Sequence, residues 1–258
     1  TIVNDGTLAI SQNANLGKAE TGVTVSNATL LLNGDIAIER KVTLAGTTAT
    51  LNTAGNTSSS IDDAVSGLAK LIKTGDGTLT LNTANTYAGG TQIAKGTLEI
   101  SQDASLGTKA GKFGVDVVID DAATLALTGN VVAARKLSLT GTTATIDTTK
   151  EGSSSSLSDV ISGSAKLIKT GDGSLTLTGA NSYEGGTVVN KGTLAISSDA
   201  NLGLAKTDVE INNATVALTA NTTVARKLAL TGATATVNTA TSTTSSITDI
   251  ISGTGQLV

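Results

Sequence analysis

The chain has 258 residues, a formal charge of −4, no Cys, His, Pro, Met or Trp, and three aromatic side chains, Tyr87, Phe113 and Tyr183. Disulfides and thiolate metal sites are therefore excluded, the commonest general base near neutral pH is missing, and nucleic acid is a poor partner for a chain with no basic patch. No apolar run approaches the roughly 18 residues of a membrane span, and Leu, Ile, Val and Ala must build the core in place of large rings.

The chain begins at Thr1 without a signal peptide, as an excised piece or a mature segment of a longer chain would. Strand-like pieces then begin near Ile2, Val23, Val42, Leu71, Ile93, Val117, Leu137, Leu167, Val188, Val209, Leu228 and Leu257. Each alternates apolar and polar residues, the period of a half-buried strand. Most follow one another after 19 to 24 residues, and the steps into Leu71, Leu167 and Leu257 are longer, at 29 or 30.

A longer period contains the short one. LIKTGDGTLTL at Leu71 returns as LIKTGDGSLTL at Leu167, and Arg40-Lys41, Arg135-Lys136 and Arg226-Lys227 recur with the same flanks. SQNANLG, SQDASLG and SSDANLG repeat with them. The repetition defines one solenoid segment over residues 1–258, with imperfect super-repeats over 1–90, 91–186 and a truncated 187–258. A unit of about 20 residues cannot bury its own apolar side and must stack on its neighbours. The expected fold is all-β: a right-handed parallel β-helix of 19 to 24 residues per rung with longer excursions. Its hand follows from the rule for parallel crossovers, and a rung spacing of about 4.8 Å makes a rod of roughly 50 Å.

The long steps hold SSSIDDAVSG, SSSLSDVISG and TSSITDIISG, which pair Ser60 with Asp63, Ser156 with Asp159 and Ser246 with Asp249. Ser followed three residues later by an acid resembles a helix capping box. A short helix or ordered loop is expected there, serving either as a corner plug over the core or as a regularly spaced contact knob. Tyr87 and Tyr183 stand between Asn and Gly-Gly, either covering a turn or facing a ligand. The Arg-Lys pairs read as solvated charges flanking strands, with a lateral charge contact between rods as the alternative. Gly75, Gly77, Gly89, Gly90, Gly171, Gly173, Gly185 and Gly186 read as turn residues, since glycine accepts positive φ without steric cost.

Asp62-Asp63 and Asp120-Asp121 are the candidates for carboxylate chemistry, but the second pair is Asn212-Asn213 in the third super-repeat. Nothing else supplies the spaced acids and partner that sugar cleavage needs. GDG lacks the tandem G-G-x-G-x-D of the calcium nonapeptide. Rows of outward Thr are too irregular for an ice-binding face, because Val25-Ser26-Asn27 interrupts them. The reading is of a protein that is not an enzyme and carries no cofactor.

Leu71 to Ile100 and Leu167 to Ile196 resemble the autotransporter-associated β-strand repeat, K-x-G-x-G-x-L-x-L-x-x-x-N-x-Y-x-G-G-T. Gly75, Gly77, Leu79, Leu81, Asn85, Tyr87, Gly89, Gly90 and Thr91 match in the first, and their counterparts from Gly171 to Thr187 in the second. The resemblance implies the passenger of a type V secreted bacterial surface protein, anchored in the outer membrane by a translocator outside this chain. Adhesion, cell aggregation and biofilm formation are the activities it implies. Like copies on neighbouring cells or a host-surface molecule would be the partners, with no membrane insertion by this segment. The alternative is an inert stalk that presents a distal domain; a polysaccharide-active β-helix enzyme is a minor one.

Overall fold

A computed structural model describes residues 1–109, 116–149, 151–205 and 207–258. Phe113 lies outside the described residues. The fold comprises two compact units, Thr1–Ala126 and Leu127–Val258. Among the described residues, strands and three one-turn 3-10 helices make up the regular structure, and the strands pair in parallel, each with its equivalent one turn away.

The first unit is a three-sided coil. Its second turn runs Val23–Ser26, Thr29–Leu32 and Ala37–Ile38, its third Val42–Ala45, Thr48–Thr53 and Ser58–Ile61, and its fourth Val65–Gly67, Lys70–Thr74 and Thr78–Leu81. Strands of each side stack in register, so like side chains form columns. Leu8, Leu30, Leu51, Lys73, Ile93 and Ile119 are one inward column. Ile38, Ile61, Leu81 and Ile100 are another. Residues between them point outward as rows such as Thr7, Thr29 and Thr50. Each enclosed Leu, Ile or Val contributes about 1.5–3 kcal/mol.

The second unit is built the same way. Leu157, Leu177, Ile196 and Leu218 align along one side. Ala144, Leu167, Thr187, Val209 and Leu228 align along another.

The expected protruding excursions are not there. Ser58–Ile61 and Val65–Gly67 are strands in the stack, as are Ser154–Leu157 and Ile161–Gly163. The long step from Val42 to Leu71 covers one turn plus one further side. The super-repeat is accordingly four turns and one side, not four rungs with a loop. Within the first unit, Thr7–Ile10 and its equivalent Thr97–Ile100 lie in different sheets. Within the second, Thr143–Asp147 and Thr234–Thr239 do the same.

Candidate functional site

The repeated motif builds a set of internal clamps. In Leu71-Ile72-Lys73, Leu71 and Lys73 share one parity, so the lysine enters the apolar column and is wholly enclosed. Its Nζ donates to the carbonyls of Thr74, Gly75 and Lys95 at 2.8, 2.9 and 3.0 Å. Lys169 repeats this with Thr170, Gly171 and Lys191. Gly-Asp-Gly turns its carbonyls to the ammonium because Gly75 adopts φ +75°. Burial lowers the Lys73 pKa to about 8, against the opposing pull of Asp76. Lys169 is likewise lowered to about 8 by burial, opposed by Asp147 and Asp172.

Asn85 and Tyr87 stand where a strand is replaced by irregular chain. Asn85 accepts from the Val65 N–H at 2.7 Å and donates to the Ser105 carbonyl at 2.6 Å, joining the turn below to the turn above. Asn181 does the same between Ile161 and Asn201. Tyr87 Oη lies 2.7 Å from Thr91 Oγ1, and Tyr183 Oη 2.7 Å from Thr187 Oγ1. Both tyrosines have 0% exposure. Their rings cover turns and present no surface to a ligand. A Cβ at Gly89 would overlap the Ala69–Lys70 peptide, and one at Gly185 the Ala165–Lys166 peptide. The second glycine of each pair, Gly90 or Gly186, has φ above +80°.

The arginines of the Arg-Lys pairs are also internal, which corrects the expectation of solvated charges. Arg40, Arg135 and Arg226 are buried, while Lys41 and Lys136 are exposed. Arg226 reaches back one turn to the 3-10 helix Asp199–Leu202, pairing Nε with Asp199 Oδ1 at 2.8 Å and Nη2 with Oδ2 at 2.9 Å. It also donates to the Leu202 and Leu204 carbonyls. Arg40 holds the 3-10 helix Asn13–Leu16 similarly, with Asn13 Oδ1 in place of the carboxylate at 2.9 Å. Sequence reasoning missed the arginine and lysine clamps, although the parity of Lys73 with Leu71 was a usable signal.

Asp63, Asp159 and Asp249 are corner residues. Each carboxylate accepts the next N–H, of Ala64, Val160 or Ile250, at 2.6 to 2.7 Å. Asp62 accepts from Asn82 and Asp120 from Gln92, both at 2.6 Å, so these acids also fasten neighbouring turns. Of the glycines singled out, Gly77 and Gly173 donate to the Thr53 and Thr148 carbonyls, closing the corners that Gly75 and Gly171 open. What remains outward is rows of hydroxyl and amide side chains, with exposed ion pairs Lys95–Asp76 and Lys191–Asp172 at 3.0 and 2.9 Å. No helix among the described residues is long and apolar enough to cross a membrane.

Lys73, Asn85 and Tyr87, with their counterparts Lys169, Asn181 and Tyr183, fall within two stretches, residues 71–100 and 167–196, that match one family model; the arginine clamps lie outside them. The model is that of the passenger-associated-transport-repeat, which both stretches resemble. The Adhesin BmaC autotransporter of Brucella suis biovar 1 (strain 1330) is 42% identical over 159 residues, which are 60% of this chain and 4% of that protein. The chain thus spans a small fraction of the length of the curated relative it matches. No solved structure matches it. The repeats, the relative and the parallel solenoid together fit the passenger region of an autotransporter. They point to a structural, non-enzymatic protein.

Proposed function

We propose that this chain is part of an adhesin-type passenger displayed at a bacterial cell surface. It would meet like copies on neighbouring cells or a host-surface molecule, and so serve aggregation, biofilm formation or attachment. The observation that carries this reading is the division of labour in each strand. Inward columns and buried clamps hold the coil, leaving outward rows such as Thr7, Thr29 and Thr50 at the surface. One such contact is weak, and repetition along a stack multiplies it by effective concentration. The 42% identity to a protein named an adhesin supports the same reading.

A stalk is the second reading, favoured by the inward placement of both tyrosines. Sedimentation of the chain over a wide concentration range, together with binding of the labelled chain to cells and matrix, separates them. Association that saturates and is lost on altering one outward row supports the adhesin. A monomer that binds neither itself nor any surface establishes the stalk.

A further inference from the structure

One corner of the coil recurs in all three super-repeats, at residues 33–36, 128–131 and 219–222. In the first, Ser59 Oγ donates to the Gly34 carbonyl at 2.8 Å, Ile36 N–H donates to Ser59 Oγ at 3.3 Å, and Asp35 Oδ1 accepts from the Ser58 N–H at 2.7 Å. Ser155 and Asn130 make the same bonds in the second, and Ser245 and Asn221 in the third. One position departs from the pattern. Where Thr128 and Thr219 stand, the first corner has Asn33. Thr219 Oγ1 is fastened to the Ile196 carbonyl at 3.0 Å. The Asn33 side chain is exposed and makes no hydrogen bond among the described residues. The corner therefore forms without an asparagine, and this asparagine is held by its backbone alone, through its N–H to Ile10 O at 2.8 Å.

Asn33 is followed by Gly34, and this is the chain's single Asn-Gly step. The step is chemically labile. The carboxamide carbon of asparagine is an electrophile, and the next backbone nitrogen can reach it by closing a five-membered ring. Glycine places no side chain over that nitrogen. Gly34 N–H donates to no acceptor among the described residues, so no hydrogen bond has to break before it reacts. The two clamp asparagines are the contrast. Asn85 and Asn181 have carboxamides bonded to the turns on either side, and they precede Thr86 and Ser182.

We infer that Asn33–Gly34 is a self-modification site, at which the Asn33 carboxamide becomes an aspartyl or isoaspartyl carboxylate. The Gly34 nitrogen gives up its proton to solvent base and attacks Asn33 Cγ. A new C–N bond forms, the Cγ–Nδ2 bond breaks, and ammonia leaves. Water then adds to the resulting succinimide and opens it at either carbonyl, so solvent is the only co-reactant and nothing is oxidised or reduced. One opening leaves aspartate in an ordinary backbone. The other carries the main chain through the side-chain carbon and leaves isoaspartate, one methylene longer. Either product adds a negative charge two residues from Asp35. The isoaspartyl product also lengthens a corner that is pinned at Ile10 O, Ser59 Oγ and the Ser58 N–H, and so loosens it. The site exists once in the chain, and the inference does not depend on the adhesive reading.

The test holds the folded 258-residue chain, and a peptide of residues 31–36, at neutral and at mildly alkaline pH. Conversion is read by peptide mass mapping, and isoaspartate by labelling with an isoaspartyl methyltransferase. In the folded chain Asn33 is expected to convert at least about tenfold faster than any other asparagine. The rate should climb with pH, because the attacking nitrogen must first lose its proton. N33Q keeps the carboxamide but needs a larger ring, and N33T carries the residue of the other two corners. Both variants are expected to fold and to cut conversion of the whole chain at least about tenfold. Conversion of the peptide without conversion of the folded chain overturns the inference, because the corner then keeps the Gly34 nitrogen away from Cγ. Conversion of N33T at the wild-type rate overturns it too, because the reacting residue then lies elsewhere. Urea unfolding separates the two products. The isoaspartyl fraction should unfold at lower denaturant than N33D, and equal midpoints overturn the loosening of the corner.

Discussion

Lys73 Nζ donates to the carbonyl oxygen of Lys95, one turn further along the coil, at 3.0 Å. The bond crosses from one rung to the next from inside an apolar column, between Leu51 and Ile93. It explains why the sequence writes LIKTGDG twice. Lysine supplies three donors to a corner whose carbonyls have turned inward, and the glycines let them turn.

K73M keeps the apolar stem and removes the donors. The carbonyls of Thr74, Gly75 and Lys95 then lose their partner. We expect a loss of about 2 kcal/mol, measured by urea unfolding. An unchanged midpoint would mean that the column gains as much from methionine as the corner loses.

The stacked strands were legible in the sequence because period two is a strong signal and the repeats align it. The number of sides was not. Strand starts give spacings but not the side each strand occupies, so the step from Val42 to Leu71 read as a rung with an excursion. Ile61, Ala64 and Val65 have helical spacing only because a strand ends at Ile61, a corner follows, and a strand begins at Val65. Tyr87 and Arg226 were visible as residues, but their burial depends on which turn lies above, which local pattern does not show.

Gly89 and Gly6 separate space from conformation. Gly6 has φ +68° and open room around a Cβ, so G6A should cost about 1 kcal/mol through backbone strain alone. At Gly89 the Cβ would overlap the Ala69–Lys70 peptide, and G89A should cost about 3 kcal/mol. Paired thermal unfolding curves test the order; G6A being the more damaging would refute the clamp at Gly89.

The two arginine clamps differ by one atom type, and this gives a controlled substitution. Asn13 already accepts from Arg40 Nε at 2.9 Å where Asp199 accepts from Arg226. D199N should therefore fold normally and lose about 1 kcal/mol, the charge-assisted part of the bond. R226M also leaves the Leu202 and Leu204 carbonyls without their donor and should lose more, about 2–3 kcal/mol. Similar losses in the two variants would show that the carboxylate, and not the guanidinium, holds the helix Asp199–Leu202.

Replacing Asp63, Asp159 and Asp249 together by Ala tests the contact-knob expectation against the corner geometry. Each carboxylate accepts the adjacent N–H, and the strands on either side belong to the stack. The triple variant should lose about 1 kcal/mol per site and keep whatever association the native chain shows. Sedimentation that loses association with an unshifted unfolding midpoint would restore the knob.

Alkaline pH should first stabilise the chain and then destabilise it. Burial holds Lys73 and Lys169 near a pKa of about 8, while the same groups ionise near 10.5 once unfolded. Between these values the unfolded chain binds more protons, so stability rises with pH across that window. Tyr183 acts in the opposite sense. Burial pushes its phenol well above the ordinary value of 10, more than the Thr187 hydrogen bond and Arg226 pull it down. From about pH 10 upward the unfolded phenol ionises and the folded one does not, so stability falls. Urea midpoints followed by far-ultraviolet circular dichroism should therefore climb from pH 8 and turn over near pH 10. In a K73M/K169M variant the climb should vanish while the alkaline fall remains. A climb that survives in this variant would assign it to groups other than the caged lysines.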